Sequence, residues 1–248
     1  MNSLLKVTKT EIVLFFRDKT TVFWTFLFPV IMIWLFGSMF GDQKINGLSY
    51  SSVYIPSWIA VNIMTVSFFT LGTVLANYRE KGILRRYQLT PIKPWKILAA
   101  HTIQGAVIFG ISAIVIFLFG YFFYDLQLPA YIGSTFGALL LSLICFFPFG
   151  LLMTSLAKDT KSAAAISSLL LNLMLFLSGA TFPLEVMPQV LQYVAKILPL
   201  YYVVELLRAT WNTSPLWDNG VDVLVLFLIG VASIFLSTKF FRWSGQKV

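Results

Sequence analysis

Six long apolar runs, each closed by charged or turn-forming residues, follow one another along the chain at about 22–40, 55–77, 97–123, 131–157, 162–181 and 218–238. Each is near or above the ~20 residues that an α-helix needs to cross a bilayer. They are continuous rather than alternating, unlike the short two-faced segments of a membrane β-barrel. Lipid offers no partner to an unpaired peptide group, so the runs predict six transmembrane helices in a single all-α domain over 1–248. Residues 1–21 differ: Leu4, Leu5, Val7, Ile12, Phe15 and Phe16 alternate with Lys6, Lys9, Glu11, Arg17 and Asp18. That pattern predicts an amphipathic helix lying in the membrane interface. The stretch 182–217 holds Pro183, Pro188, Pro199 and Pro215, yet is rich in Leu, Val and Tyr. It is too broken to span and too apolar for water, and predicts a re-entrant element of one or two short helices in the outer leaflet. Thr213-Ser214-Pro215 reads as a cap with a proline at the first position of the last span.

Composition agrees with the pattern. Of 248 residues, 58% are hydrophobic and only 11% are charged, against the ~25% charged residues of a soluble domain. The net charge of +8 would raise nucleic acid as a partner in a soluble protein. Here the basic residues cluster at span ends and point to topology instead. Lys6, Lys9, Arg17 and Lys19 precede the first span, and Arg79, Lys81, Arg85, Arg86, Lys93 and Lys96 follow the second. Lys158 and Lys161 follow the fourth, and Lys239, Arg242 and Lys247 close the chain. These fifteen of the 18 basic residues fall on one side, leaving Lys44, Lys196 and Arg208 on the other. The crowded side is expected to be cytoplasmic, with both termini there. The first apolar run has spanning length and no small-residue cleavage site after it, so no cleavable signal peptide is expected.

Candidate chemistry is sparse. The acids Glu11, Asp18, Asp42, Glu80, Asp125, Asp159, Glu185, Glu205, Asp218 and Asp222 sit in tails, loops or near helix ends. With one cysteine (Cys145) and one histidine (His101), they assemble no metal or nucleophile set. A lone histidine near a helix start is far more often structural than a ligand. No G-x-x-x-x-G-K-[ST] motif is present, so the chain holds no nucleotide by a P-loop. Polar residues inside the spans, such as Asn62, Thr65, Ser67 and Thr70 in the second and Asn172 in the fifth, are neutral. Asn62, Thr65 and Phe69 share a helix face. Helix–helix hydrogen bonding is the commoner use of such residues, and substrate contact the alternative. Between the second and third spans, residues 78–96 predict a short basic amphipathic helix: Ile83, Leu84 and Tyr87 lie at helical spacing, Lys81 and Arg85 one turn apart, with Thr90-Pro91 and Pro94 as stops. Charge alone leaves lipid binding and partner docking both open.

At these residues the chain resembles the ABC-2 type permeases, membrane subunits of ABC transporters. The resemblance rests on Arg79-Glu80-Lys81-Gly82-Ile83-Leu84-Arg85-Arg86 followed by Leu89-Thr90-Pro91. Phe182-Pro183, Met187-Pro188, Leu198-Pro199-Leu200-Tyr201, Glu205 and Arg208 match the family's stretch between the fifth and sixth helices, and Arg17 with Phe28-Pro29 fits as well. Ile83 stands where many relatives carry Thr. The resemblance implies a multi-pass protein of the bacterial cell membrane that pairs with a second permease subunit, identical or related, and with two separate ABC ATPase subunits. ATP and magnesium would be bound by those partners, with no cofactor in this chain and no enzymatic activity of its own. It further implies ATPase docking by Glu80, Lys81, Gly82, Arg85 and Arg86, and a substrate path near spans one, two and five with Asn62, Thr65, Phe69, Asn172 and Phe176 as candidate lining. The expected function is export of a lipophilic drug, antibiotic or lipid-like molecule. Polysaccharide or sodium export, an ion-coupled carrier and a non-transporting scaffold are the alternatives. Few ionisable groups inside the spans argue against the ion-coupled carrier.

Overall fold

The computed structural model describes residues 2–41, 44–45, 47–89, 94–182, 184 and 187–240. Asp42, Thr90, Pro91, Lys93, Pro183, Glu185, Arg242 and Lys247 lie outside them. Helix α1 (Asn2–Arg17) is followed by the spans α2 (Lys19–Phe40) and α3 (Tyr50–Glu80). A two-stranded antiparallel ribbon, β1 (Lys44–Ile45) with β2 (Leu48–Ser49), joins those spans in the register Lys44↔Ser49. Then come α4 (Ile83–Gln88), α5 (Pro94–Tyr124), α6 (Ile132–Ser155), α7 (Thr160–Leu177), α8 (Gln189–Ala195), α9 (Pro199–Asn212) and α10 (Gly220–Phe240). Among the described residues six helices are long and apolar enough to cross a membrane, as the hydrophobic pattern predicts. Segment 182–217 contains α8 and α9, bent by 88° at a short break. Pro215 opens a short 3-10 turn (Leu216–Asp218) and the last span starts only at Gly220, so the expected proline start of that span is corrected.

The bundle is built around α3, which buries most of its surface against α2, α5, α6, α7 and α9. Helix association in lipid gains little from hydrophobicity and depends on close packing and interhelical hydrogen bonds. Here prolines dictate where those bonds go, because each removes the N–H that its own helix would offer to the carbonyl four residues back. Pro29 withholds a donor from Thr25, and the Thr25 carbonyl instead accepts from Asn62 Nδ2 (2.8 Å) on α3 and Ser112 Oγ (2.9 Å) on α5. Pro56 does the same to Ser52, whose carbonyl accepts from Asn212 Nδ2 of α9 (2.9 Å). One residue further on, the Val53 carbonyl accepts from Ser57 Oγ (2.7 Å) and Arg208 Nε (3.3 Å). Arg208 also donates to Ser57 Oγ (2.7 Å) and to the Gly179 carbonyl (2.8 Å) beyond α7, so α9 is fastened to α3 and to the end of α7.

Small residues set the crossing of α3 with α6. A Cβ at Gly150 would meet Ser67 Oγ and stand 2.8 Å from the Ser67 carbonyl, and one at Gly72 would lie 2.7 Å from Thr154. Ser67 Oγ donates to the Phe146 carbonyl across the same crossing. On the far side of α6, Gly230 of α10 packs directly on the backbone of Cys145. The small-residue crossing lies where α3 adopts a π-helical stretch, Val66–Thr73, whose hydrogen bonds skip one residue further than α-helical ones.

Candidate functional site

At the end of the bundle that carries α1 and α4, the last turn of α3 divides its two charges between two helix ends. Arg79 is only 5% exposed. Its guanidinium donates to the carbonyls of Ser155 (3.2 Å) and Ala157 (2.5 Å), at the C-terminus of α6. Glu80 turns the other way: its Oε2 accepts from the backbone N–H of Thr160 (2.7 Å) and from the Thr160 hydroxyl, at the N-terminus of α7. Each charge meets the helix end whose unpaired groups and dipole attract it. Asp159 caps the same α7 terminus by accepting from Ser162 N (2.7 Å), a bond that holds its carboxyl below the usual range. The dipeptide therefore staples the α3–α4 loop to the α6–α7 turn.

Beyond the staple the chain reverses. Gly82 takes φ = 68°, a left-handed conformation open to glycine at little cost. Helix α4 then runs for six residues, anchored by the fully buried Leu84, with Ile83 and Tyr87 half-buried. Lys81, Arg85 and Arg86 are exposed around this anchor. Thus Glu80 is engaged within the chain, while Lys81, Arg85 and Arg86 present three positive charges outward.

A cavity of about 530 Å³ lies between α2, α3 and α7. Thr65 and Phe69 of α3 and Asn172 of α7 line it, together with Trp24, Trp58 and Ser168. The wall is aromatic and hydroxyl-bearing, and among the described residues no charged side chain contributes to it. Asn172 donates its amide to the Ser168 carbonyl (2.8 Å) in its own helix, leaving its amide oxygen available to a ligand. Asn62 sits outside the lining, fully buried and committed to Thr25. Phe176 also sits outside it, half exposed and stacked on Phe182 at 6.3 Å. Sequence reasoning overlooked Trp24 and Trp58, whose places depend on how α2 packs on α3. It also overlooked Thr160, which carries no local signal of its role. Arg79 stands inside the basic motif and was legible as a charge, but not as an inward-turned one.

Residues 2–211 match the family model described as ABC-2 type transporter. The chain is 29% identical over its whole length to the putative transport permease YvfS of Bacillus subtilis, also matched along its full length. It is 26% identical to nodulation protein J of Rhizobium meliloti, covering 86% of this chain and 82% of that one. It is 22% identical to the probable multidrug ABC transporter permease YbhR of Escherichia coli, over 71% of this chain and 47% of that longer protein. The six spans and a family match over nearly the whole length converge on one conclusion: the chain belongs to the ABC-2 type transporter family and is a multi-pass permease subunit of the bacterial inner membrane.

Proposed function

We propose that this permease exports a neutral, lipophilic or lipid-like molecule, driven by two separate ATPase subunits and working beside a second permease subunit. One observation carries the reading: an uncharged, aromatic cavity whose α7 wall is held, through Thr160, by Glu80 at the end of α3, next to the basic loop. Lys81, Arg85 and Arg86 would give an ATPase surface a complementary target, setting register and encounter more than affinity. Gly82 would let that surface approach the backbone closely. Motion of α4 would pass through Arg79 to the end of α6 and through Glu80 to the start of α7. Leu171, Asn172 and Leu175 of α7 would then move against Thr65 and Phe69 of α3. ATP and its magnesium belong to the partners. An uncharged, largely aromatic wall suits a drug-like or lipid-like molecule. Both termini lie on the cytoplasmic side in this reading, α1 rests in the inner interface, and α8 dips into the outer leaflet with Val190 and Tyr193 exposed, and Ile197 just beyond it.

The test is transport in vesicles that contain the permease and its ATPase, with a lipophilic dye as probe. Glu80→Lys should insert normally, keep basal ATP turnover and lose dye movement. Full transport by that variant would refute the coupling role, and dye movement without the ATPase would refute the ATP-driven reading.

A further inference from the structure

Beneath α1 lies a buried polar site that the transport path does not use. The amphipathic pattern groups Glu11 with the charges of an exposed face, but the helix turns Thr8, Glu11 and Phe15 onto the bundle and leaves Lys6, Lys9 and Arg17 exposed. Glu11 is 4% exposed. Its carboxylate accepts the Tyr78 hydroxyl at 2.9 and 3.1 Å, and Tyr78 immediately precedes the Arg79–Glu80 staple. From α5, His101 Nδ1 stands 3.9 Å from Glu11 Oε2, and its fully buried ring meets Tyr78 edge-on at 5.5 Å. Among the described residues neither imidazole nitrogen makes a well-formed hydrogen bond, although Gln104, buried beside the ring on α5, lies close enough to interact with it, and Gln104 Oε1 has no other partner.

Such a set is costly as it stands. A buried carboxylate needs several donors and receives one, and buried polar atoms without partners are rare enough to require a reason. The gap between Oε2 and Nδ1 is too long for a hydrogen bond and is short enough to close over one proton. Among the described residues, the titratable groups that face Glu11 are Tyr78 from α3, His101 from α5 and Tyr87 from α4, whose phenol is raised by burial and by the Glu11 charge. None of these is a fixed cation. We propose that Glu11 and His101 form a single-proton site, and that a proton taken from the cytoplasm bridges Oε2 and Nδ1 and fastens α1 to α5, while Oε1 keeps the Tyr78 hydroxyl that ties α1 to the base of the coupling loop. Glu11 is in this scheme a positioning residue. The consequence for transport rests on the permease reading: acid conditions hold the loop in place and alkaline conditions free it.

The direction follows from linkage. Burial, the largest influence, raises the Glu11 carboxyl, and the Tyr78 hydrogen bond opposes it in part. A group raised in the folded state stabilises the assembly below its unfolded value and loses that contribution as pH climbs through the raised one. The experiment is amide hydrogen exchange of segment 79–89 in lipid nanodiscs across a pH series that starts at the ordinary carboxylate value and climbs, corrected for intrinsic exchange. Wild-type protection should fall several-fold as pH rises. Glu11→Gln keeps an acceptor for Tyr78 and cannot titrate, so its profile should be flat. Tyr78→Phe keeps the proton site but cuts the link, and should lower protection at every pH. A flat wild-type profile, or a wild-type pH dependence retained in Glu11→Gln, would overturn the proposal. The measurement needs neither ATPase nor cargo, so its failure and that of the permease reading are separately visible.

Discussion

Replacing Arg79 by Ala is the most direct challenge to the staple. The side chain is 5% exposed and gives two charge-assisted hydrogen bonds to the last carbonyls of the α6 terminus. A hydrogen bond involving a charged group contributes ~1.5–3 kcal/mol in a water-soluble protein. Polar contacts measured inside membrane proteins average nearer ~0.6 kcal/mol, because the unfolded helices also find partners. Two bonds at the boundary between these regimes give a loss of about 2–4 kcal/mol. For a chain of this length that corresponds to a midpoint lower by roughly 5–15 °C. An exposed topological arginine would change stability by no more than ~0.5 kcal/mol, so the two roles are well separated. Arg79→Lys keeps the charge but loses the planar fork that reaches two acceptors at once, and should fall between wild type and Ala. The assay is thermal unfolding in nanodiscs, followed by tryptophan fluorescence and paired with size-exclusion to confirm insertion. An Ala variant within ~1 °C of wild type would refute the inward-facing role. So would a Lys variant as damaged as Ala, because the loss would then not track the remaining charge.

Three further outcomes are expected. Asn212→Ala should cost about 1–2 kcal/mol by leaving the Ser52 carbonyl unpaired. That cost should largely vanish in a Pro56→Ala background, where α3 supplies its own donor, and a double-mutant cycle with no coupling would refute the account. Gly150→Ala should destabilise by about 1–3 kcal/mol through overpacking against the Ser67 backbone, with Gly133→Ala, where a Cβ meets nothing within 4 Å, as the neutral control. Trp58→Ala should enlarge the cavity and change which dyes stimulate ATP turnover while leaving basal turnover intact; an unchanged dye profile would remove Trp58 from the path.

The number and extent of the spans were legible because bilayer thickness imposes a length, and the length shows in runs such as 97–123 against the observed α5. The internal use of polar residues was legible only as a choice between two roles. Asn62 and Thr65 sit three residues apart on one helix face, yet the structure commits Asn62 to a carbonyl released by Pro29 and leaves Thr65 at the cavity wall. That proline lies in another helix, and no periodicity within α3 could reveal the pairing. Glu11 shows the same limit from the opposite side. Its place among lysines and apolar residues in the sequence gives it a polar face, while tertiary packing turns that face onto Tyr78 and His101.

The irregular parts of the spans gather where the cavity is. The π-helical stretch Phe23–Leu27 of α2 supplies Trp24 and Thr25 to its wall, and the stretch Val66–Thr73 of α3 supplies Phe69. In both, the backbone ladder is already out of α-helical register, and side chains take over part of the pairing: Asn62 and Ser112 at Thr25, and Thr73 Oγ at the Phe68 carbonyl (2.9 Å). A helix with such a stretch can shift register by exchanging partners, whereas a regular helix must break bonds outright. The third wall, α7, is regular over Thr160–Leu177 and is held at its start by Glu80 and beyond its end by Arg208 at Gly179. Two adaptable walls therefore face one stiff wall that is gripped at both ends. In that arrangement the proposed coupling predicts that a displacement applied at Glu80 would reach Asn172 as a rigid-body motion, with α2 and α3 absorbing it locally beside the cavity.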